Sequence, residues 1–359
     1  MGRSVKISAF AVLTAAVAAV AVLTPASAEQ AAAFEQVPSP NPAPTADNNL
    51  HGVYAAAPDS VWFVGQTGGT APLIARWNGT EVTTVPASRT PGSKSGLVAV
   101  DGTGPNDVWA VGSVIGDVPG TGTDSLVQHW DGSAWRRVPS PNVGADGDST
   151  TLTGVDALAP NDVWAIGIHR AADGGDNTVV MHWDGSAWTL VQTACWPSLR
   201  GITAVSPTDI WLIGASSCHF DGTTWTNTSL GDLARFPRVP VMADVAVLSP
   251  TDAIAVGSST YPCGGAFCTD PEFARWNGTR WQRTIIGRDS KLTAVHPLSP
   301  NDIWAVGTAG VLHFDGSTWT PVTAPAGSLA GVTADSSGTV WATGATGRPA
   351  TTVVLRSTP

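Results

Sequence analysis

The stretch LTAVHPLSPNDIWAVGTAGVLHFDGSTWTPVTA, from Leu292 to Ala324, is the clearest copy of a unit that recurs seven times along the chain. Each copy opens on a short apolar strand: LHGVYA at Leu50, LVAV at Leu97, LTGV at Leu152, LRGI at Leu199, MADV at Met242, LTAV at Leu292 and LAGV at Leu329. A tight turn follows, such as Ala159-Pro160-Asn161-Asp162 or Ser299-Pro300-Asn301-Asp302. There Pro presets φ, and Asn or Asp side chains bond the local backbone. The next strand, as in Val108-Trp109-Ala110-Val111-Gly112, is apolar at every position and therefore buried on both faces. Third and fourth strands meet at Trp130-Asp131-Gly132-Ser133, Trp183-Asp184-Gly185-Ser186 and Trp276-Asn277-Gly278-Thr279. Asp-Gly or Asn-Gly between apolar residues is the strongest short hairpin signal. With a two-residue loop, Trp130 and Trp135 would be diagonal neighbours on one face, and His129 would point to the other.

Four short strands per repeat, with Trp at recurring positions, describe a propeller blade. From Trp62 to Trp341 the repeat averages about 46 residues, within the usual range for a blade. Of the 16 Trp, 15 occupy framework positions; Trp196 does not, and blade five carries Ile254 where the others have Trp. The seventh copy, from Leu329, reaches TTVVLRSTP and stops before any counterpart of GSTWTPV. Its missing phrase stands near the N-terminus, where Phe34-Glu35-Gln36-Val37-Pro38-Ser39-Pro40 echoes Trp135-Arg136-Arg137-Val138-Pro139-Ser140-Pro141. The fold class is therefore all-β: a seven-bladed β-propeller of four-stranded antiparallel blades. The ring is closed by an N-terminal outer strand, residues 34–40, in the last blade.

Residues 1–28 read as a signal peptide, with 29–359 as a single propeller domain. Arg3 and Lys6 precede an apolar run from Ile7 to Leu23, and Ala26-Ser27-Ala28 offers a cleavage site after Ala28. The run is also long enough for an uncleaved anchor. Cleavage predicts a secreted, extracellular protein without membrane attachment. Without Arg3 and Lys6, 16 basic residues face 28 acidic ones, a formal charge of −12, which disfavours nucleic acid and anionic membranes as partners. Four Cys in an exported chain suggest two disulfides, with three connectivities open. Cys195 with Cys218 and Cys263 with Cys268 is the most economical choice.

Loop lengths divide the two faces. Turns between strands one and two, and between three and four, are short and uniform. The other connections vary, including Ser113 to Asp124, His169 to Asn177, Ser258 to Pro271 and, between blades, Gly231 to Pro240. Both variable classes emerge on one face, which makes it the expected binding surface. All four Cys map there. Trp196, beside Cys195, is the sharpest candidate for a flat apolar platform. Tyr261, Phe236 and Phe267 lie in neighbouring loops of blades four and five. Arg200 and His51 take the second position of their innermost strands, near the channel mouth, where a cation could meet an anionic ligand. Arg170, Asp173 and Asp176 belong to the variable loop of blade three. At the other mouth, Tyr54, Asp101, Asp156 and His296 read as structural. His129, His182, His219 and His313 recur in one slot of separate blades and cannot converge on a metal. Asp146-Gly147-Asp148 and Asp173-Gly174-Gly175-Asp176 could hold calcium but lack the spacing of a known calcium loop. No cofactor is expected.

The string NDVWAVG at Asn106 followed by HWDGSAW at His129 resembles the repeats of secreted bacterial β-propellers. It is similar in outline to tectonin-type lectin propellers and, more distantly, to kelch and Asp-box propellers. The Asp-box pattern places Asp five residues before Trp, whereas Asp315 and Trp319 are four apart, which argues against a sialidase. A glycosidase commonly needs two flanking carboxylates, and the chain past Ala28 has only four Glu. The reading that follows is a monomeric, non-catalytic propeller that binds a glycan or other extracellular polymer. A protein-interaction scaffold, and a carbohydrate-active hydrolase or lyase, are the alternatives.

Overall fold

A computed structural model describes residues 33–89, 93–115, 122–144, 147–231 and 238–358. The expected signal peptide, Phe236 and part of the Asp146–Asp148 cluster lie outside the described residues. The chain forms seven four-stranded antiparallel sheets. In blade three, for example, Ser149–Ala159, Asp162–Arg170, Asp176–Trp183 and Trp188–Leu190 pair in chain order. Each blade's innermost strand packs against the innermost strand of the next, and that of blade seven packs against that of blade one. This is a closed β-propeller. Among the described residues no helix is long and apolar enough to cross a membrane.

The last sheet has the order Phe34–Val37, Thr351–Ser357, Val340–Thr346, Ser328–Ala334, so the N-terminal strand completes blade seven. Phe34 pairs with Ser357 and Val37 with Val354. Phe34 meets Trp304 of blade six edge-on at 5.6 Å, in the slot that Trp135 fills in blade two. The N–H of Phe34 donates to Thr323 O at 3.0 Å, and that of Thr352 to Asn41 Oδ1 at 2.8 Å.

Tryptophan fills the gaps that widen outward between blades. Trp62 of blade one packs on Trp130 of blade two (centroids 5.0 Å), and Trp109 on Trp183 of blade three (5.1 Å). Trp341 of blade seven meets Trp77 of blade one at 5.3 Å, which closes the series. In blade five, Ile254 stands in for Trp and packs with Phe273 and Phe314.

Two local expectations need correction. Trp130 and Trp135 pair directly rather than diagonally, because the hairpin turn spans four residues. Asp131 Oδ1 accepts the N–H groups of Ser133 and Ala134 and the Ser133 hydroxyl, a closed arrangement that a two-residue loop could not hold. The same turn recurs at Asp184, where the Ser186 hydroxyl and two backbone N–H groups pull the carboxyl down to about 2. Second, the connection Ser258 to Pro271 is mostly strand. Asp252–Cys263 and Ala266–Trp276 stay paired out to Cys263 opposite Ala266, so blade five projects as a long hairpin. In blade three the ladder likewise runs to Arg170 opposite Asp176.

The recurring His belong to the uniform face and brace the blades. His182 packs tilted against Trp164 at 4.4 Å and bonds Asp162 Oδ1 at 2.7 Å. His129, His219 and His313 repeat this with Asp107, Asp209 and Asp302 at 2.6, 2.7 and 2.9 Å. Arg275 replaces His in blade five and binds Asp252 through two nitrogens at 2.7 Å. Truncating one such buttress, His182→Ala, is expected to lower unfolding stability by about 1–2 kcal/mol in denaturant titration. Binding at the opposite face should not change.

Candidate functional site

The channel is built by a bulge repeated in every blade. Each innermost strand slips register after its first apolar residue: Leu50/Gly52, Leu97/Ala99, Leu152/Gly154, Leu199/Gly201, Met242/Asp244, Leu292/Ala294 and Leu329/Gly331. A bulge leaves one residue unpaired and re-aims its side chain. The unpaired residues all line one cavity of about 390 Å³ in the channel mouth. Five of them are Val98, Thr153, Ala243, Thr293 and Ala330; the other two are His51 and Arg200. The bulge also presses backbone against the glycine opposite it in the second strand. A Cβ on Gly112 would stand 2.1 Å from Gly96 O, which accounts for glycine there.

His51 and Arg200 therefore share a cavity from blades one and four of the ring. Burial lowers the His51 pKa, so its ring is neutral at pH 7. Arg200 is exposed; its carbonyl accepts the Thr153 hydroxyl at 2.8 Å, while its guanidinium has no hydrogen bond or ion pair among the described residues. Next to it, Arg170 donates to both carboxylate oxygens of Asp176, at 2.8 and 3.0 Å. The Arg170 hydrogen bonds are the main cause of the lowered Asp176 pKa, and Arg200 contributes through its charge. Asp173 lies in the exposed turn of this hairpin, where its Oδ1 accepts the Gly175 N–H at 3.3 Å.

The floor of the cavity holds an acid that the sequence reading passed over. Asp244 occupies the position where the other blades have Gly or Ala. Its oxygens accept the N–H groups of Val245 and of Val295 in the next blade, each at 2.9 Å. Burial nevertheless raises its pKa to about 6. Deeper in the channel, Asp101 accepts the Ala157 N–H at 2.8 Å, and burial raises its pKa too. Asp156 is raised by burial and by the charges of Asp101 and Asp244. These carboxyls stitch neighbouring blades through backbone N–H groups. Among the described residues no group of three His, Cys, Asp or Glu could hold a metal ion.

Two further features stand on the same face. Cys195 is bonded to Cys218, and Cys263 to Cys268. Trp196, next to the first disulfide, is 50% exposed. Its N–H donates to Asn227 Oδ1 at 2.8 Å and its carbonyl accepts the Thr178 hydroxyl at 3.2 Å, which fixes its backbone between blades three and four. Tyr261 is covered: the Arg238 guanidinium lies 3.7 Å from its ring centroid and pairs with the buried Asp270 at 2.9 Å. Phe267, at the tip of the blade-five hairpin, is 78% exposed. The structure thus brings Arg200 and His51 into the mouth, with the Arg170–Asp176 pair near Arg200 and Trp196 four residues before it in the chain. Tyr261 stands apart, in blade five.

Among solved structures, the chain is similar to YCF48 bound to D1 peptide (TM-score 0.59, 15% identity, covering 93% of this chain and 97% of the other). It is also similar to YCF48 from Cyanidioschyzon merolae (0.55, 17%, 90% and 98%). A third is the α-L-arabinofuranosidase Arb93A of Fusarium graminearum in complex with an iminosugar inhibitor (0.55, 12%, 91% and 97%). The likeness is one of fold. Neither a protein-family model nor a curated protein sequence matches the chain.

Proposed function

We propose that this chain is a non-catalytic, extracellular propeller that binds a glycan on its variable face. The observation that carries the reading is Trp196. Its indole is half exposed on a backbone pinned from both sides and adjoining a disulfide. A rigid aromatic surface loses little entropy when a sugar ring stacks on it. The two disulfides support an oxidising compartment. An iminosugar complex on a similar fold supports sugar binding as something this architecture can host. The reading as non-catalytic rests on how the neighbouring carboxylates are engaged. Asp176 is held by Arg170, Asp148 by His169 and the Ala172 N–H, and Asp270 by Arg238.

A protein partner is the second reading. It is favoured by the exposed Phe267 and by the peptide bound to YCF48 on a similar fold. Titration against a panel of extracellular polysaccharides separates the two. Trp196→Ala should weaken glycan binding about tenfold, the worth of one stacked ring, and leave the melting temperature unchanged. Equal binding by both proteins would overturn the glycan reading.

A further inference from the structure

The seven bulge positions turn the channel mouth into a sampling of one structural slot, and two of its occupants are unlike the rest. Arg200 is the only permanent cation among the seven, and its guanidinium is unpaired among the described residues. His51 enters the same cavity from blade one, with its ring kept neutral by burial and able to donate one N–H. Below them, Asp244 is the single acid in the lining, and its two oxygens each have a backbone donor but retain accepting capacity. The cavity is therefore ordered from top to bottom: a guanidinium and a ring N–H at the rim, then hydrogen-bond acceptors at the floor. Its volume of about 390 Å³ lies at the small end of the range for ligand sites.

Chemistry matched to that order carries a carboxylate next to donating hydroxyls. Resting on the glycan reading above, we propose that the channel mouth is a subsite for an acidic sugar of the uronic acid type. Its carboxylate lies against Arg200 and the His51 N–H, and its ring hydroxyls donate toward Asp244. Arg200 is suited to this because its planar fork can meet both carboxylate oxygens. Trp196 is four residues earlier on the same chain segment, so its Cα is within about 14 Å. The platform and the mouth then bind successive parts of one chain, Trp196 by stacking and Arg200 by charge. The neighbouring Asp176 is paired with Arg170, at 2.8 and 3.0 Å, and makes no hydrogen bond to the Arg200 guanidinium among the described residues. A peptide carboxylate is a weaker match. Beyond Arg200, His51 and Asp244 the mouth is lined almost entirely by Gly, Ala, Thr, Val and Ile202, which give a peptide's side chains few polar or aromatic groups to bind.

The test is titration of the full chain with oligogalacturonate and with the same oligomer fully methyl-esterified, at low and high salt. The wild type should prefer the acid form at least tenfold, with the preference shrinking as salt rises. Arg200→Ala should abolish the preference by weakening the acid form at least tenfold and the ester far less. Arg200→Lys should restore it in part, and His51→Gln should reduce it less. Both side chains border solvent, so folding is checked by an unchanged melt. No preference for the acid form, or a preference that survives Arg200→Ala, overturns the subsite. Trp196-dependent binding of both forms alike overturns the subsite and leaves the glycan reading standing. Failure of both forms to bind, with capture of a peptide of free C-terminus instead, overturns the two together.

Discussion

A chain that starts at Asn41 is expected to melt about 10 °C below the full-length protein. The strand Phe34–Val37 is the outer edge of blade seven, and no other segment can replace it. Its loss removes Phe34 and Val37, only 6% and 7% exposed, from two different inter-blade cores. Each such side chain is worth about 2–3 kcal/mol. Their removal also re-exposes Trp304, Val353 and Leu355, which pack in the core with Phe34. Freeing a short strand returns some entropy. A net loss of roughly 4 kcal/mol remains, and 2–4 °C per kcal/mol converts it to the expected shift. Phe34→Ala alone should give about half of it. The opened edge, Thr351–Ser357, would present unpaired backbone groups, so the truncated chain should also associate on concentration. Adding a peptide of residues 33–40 should restore the melt by mass action. A truncated chain that melts with the full one would show that the contacts among blades suffice without the latch.

The latch was legible because it is a repeat: Phe34 to Pro40 echoes Trp135 to Pro141, and blade seven lacked that phrase. Blade count, Trp packing and the divided faces came from the same source, a local pattern copied seven times. What escaped was relational. The bulge after Leu50, Leu97 and their equivalents is a mismatch between two strands, and neither strand's composition records it. It decides that His51 and Arg200 point into the channel. The long blade-five hairpin escaped for a similar reason, since Ser258 to Pro271 reads as a loop until pairing is seen. Asp244 left a signal that went unused. It is the one acid at a position held by Gly or Ala in Gly52, Ala99, Gly154, Gly201, Ala294 and Gly331. Asp101 and Asp156 were noticed, but their service as inter-blade acceptors required the ring to be closed.

Replacing those two acids, Asp101→Asn with Asp156→Asn, is expected to stabilise the protein at pH 8 and to change little at pH 4. Burial raises the pKa of both, and the charge of Asp101 pushes Asp156 further. In the unfolded chain each ionises near 4. Between that value and the folded pKa, the native state holds protons that the unfolded state has released. Stability therefore falls as pH rises through this window, and the full contribution is present only below about 4. Other groups in the channel have their own slopes. His51 and His296 are lowered by burial, so their contribution is present above about 6.5 and lost as pH falls below it. The hairpin acids such as Asp184, lowered to about 2, lose theirs only in stronger acid. Tyr54, raised by burial and then by Asp101 and Asp107, stays neutral throughout. Comparing the variant with the wild type at each pH cancels these common terms. Asn keeps a carbonyl oxygen for the Ala157 and Ala204 N–H groups, so the stitching between blades survives. A gain of roughly 2 kcal/mol at pH 8 corresponds to about 5 °C in the melt. An offset of the same size at pH 4 and pH 8 would mean that the substitutions act through packing. No gain at pH 8 would mean that ionised Asp101 and Asp156 are already compensated within the channel.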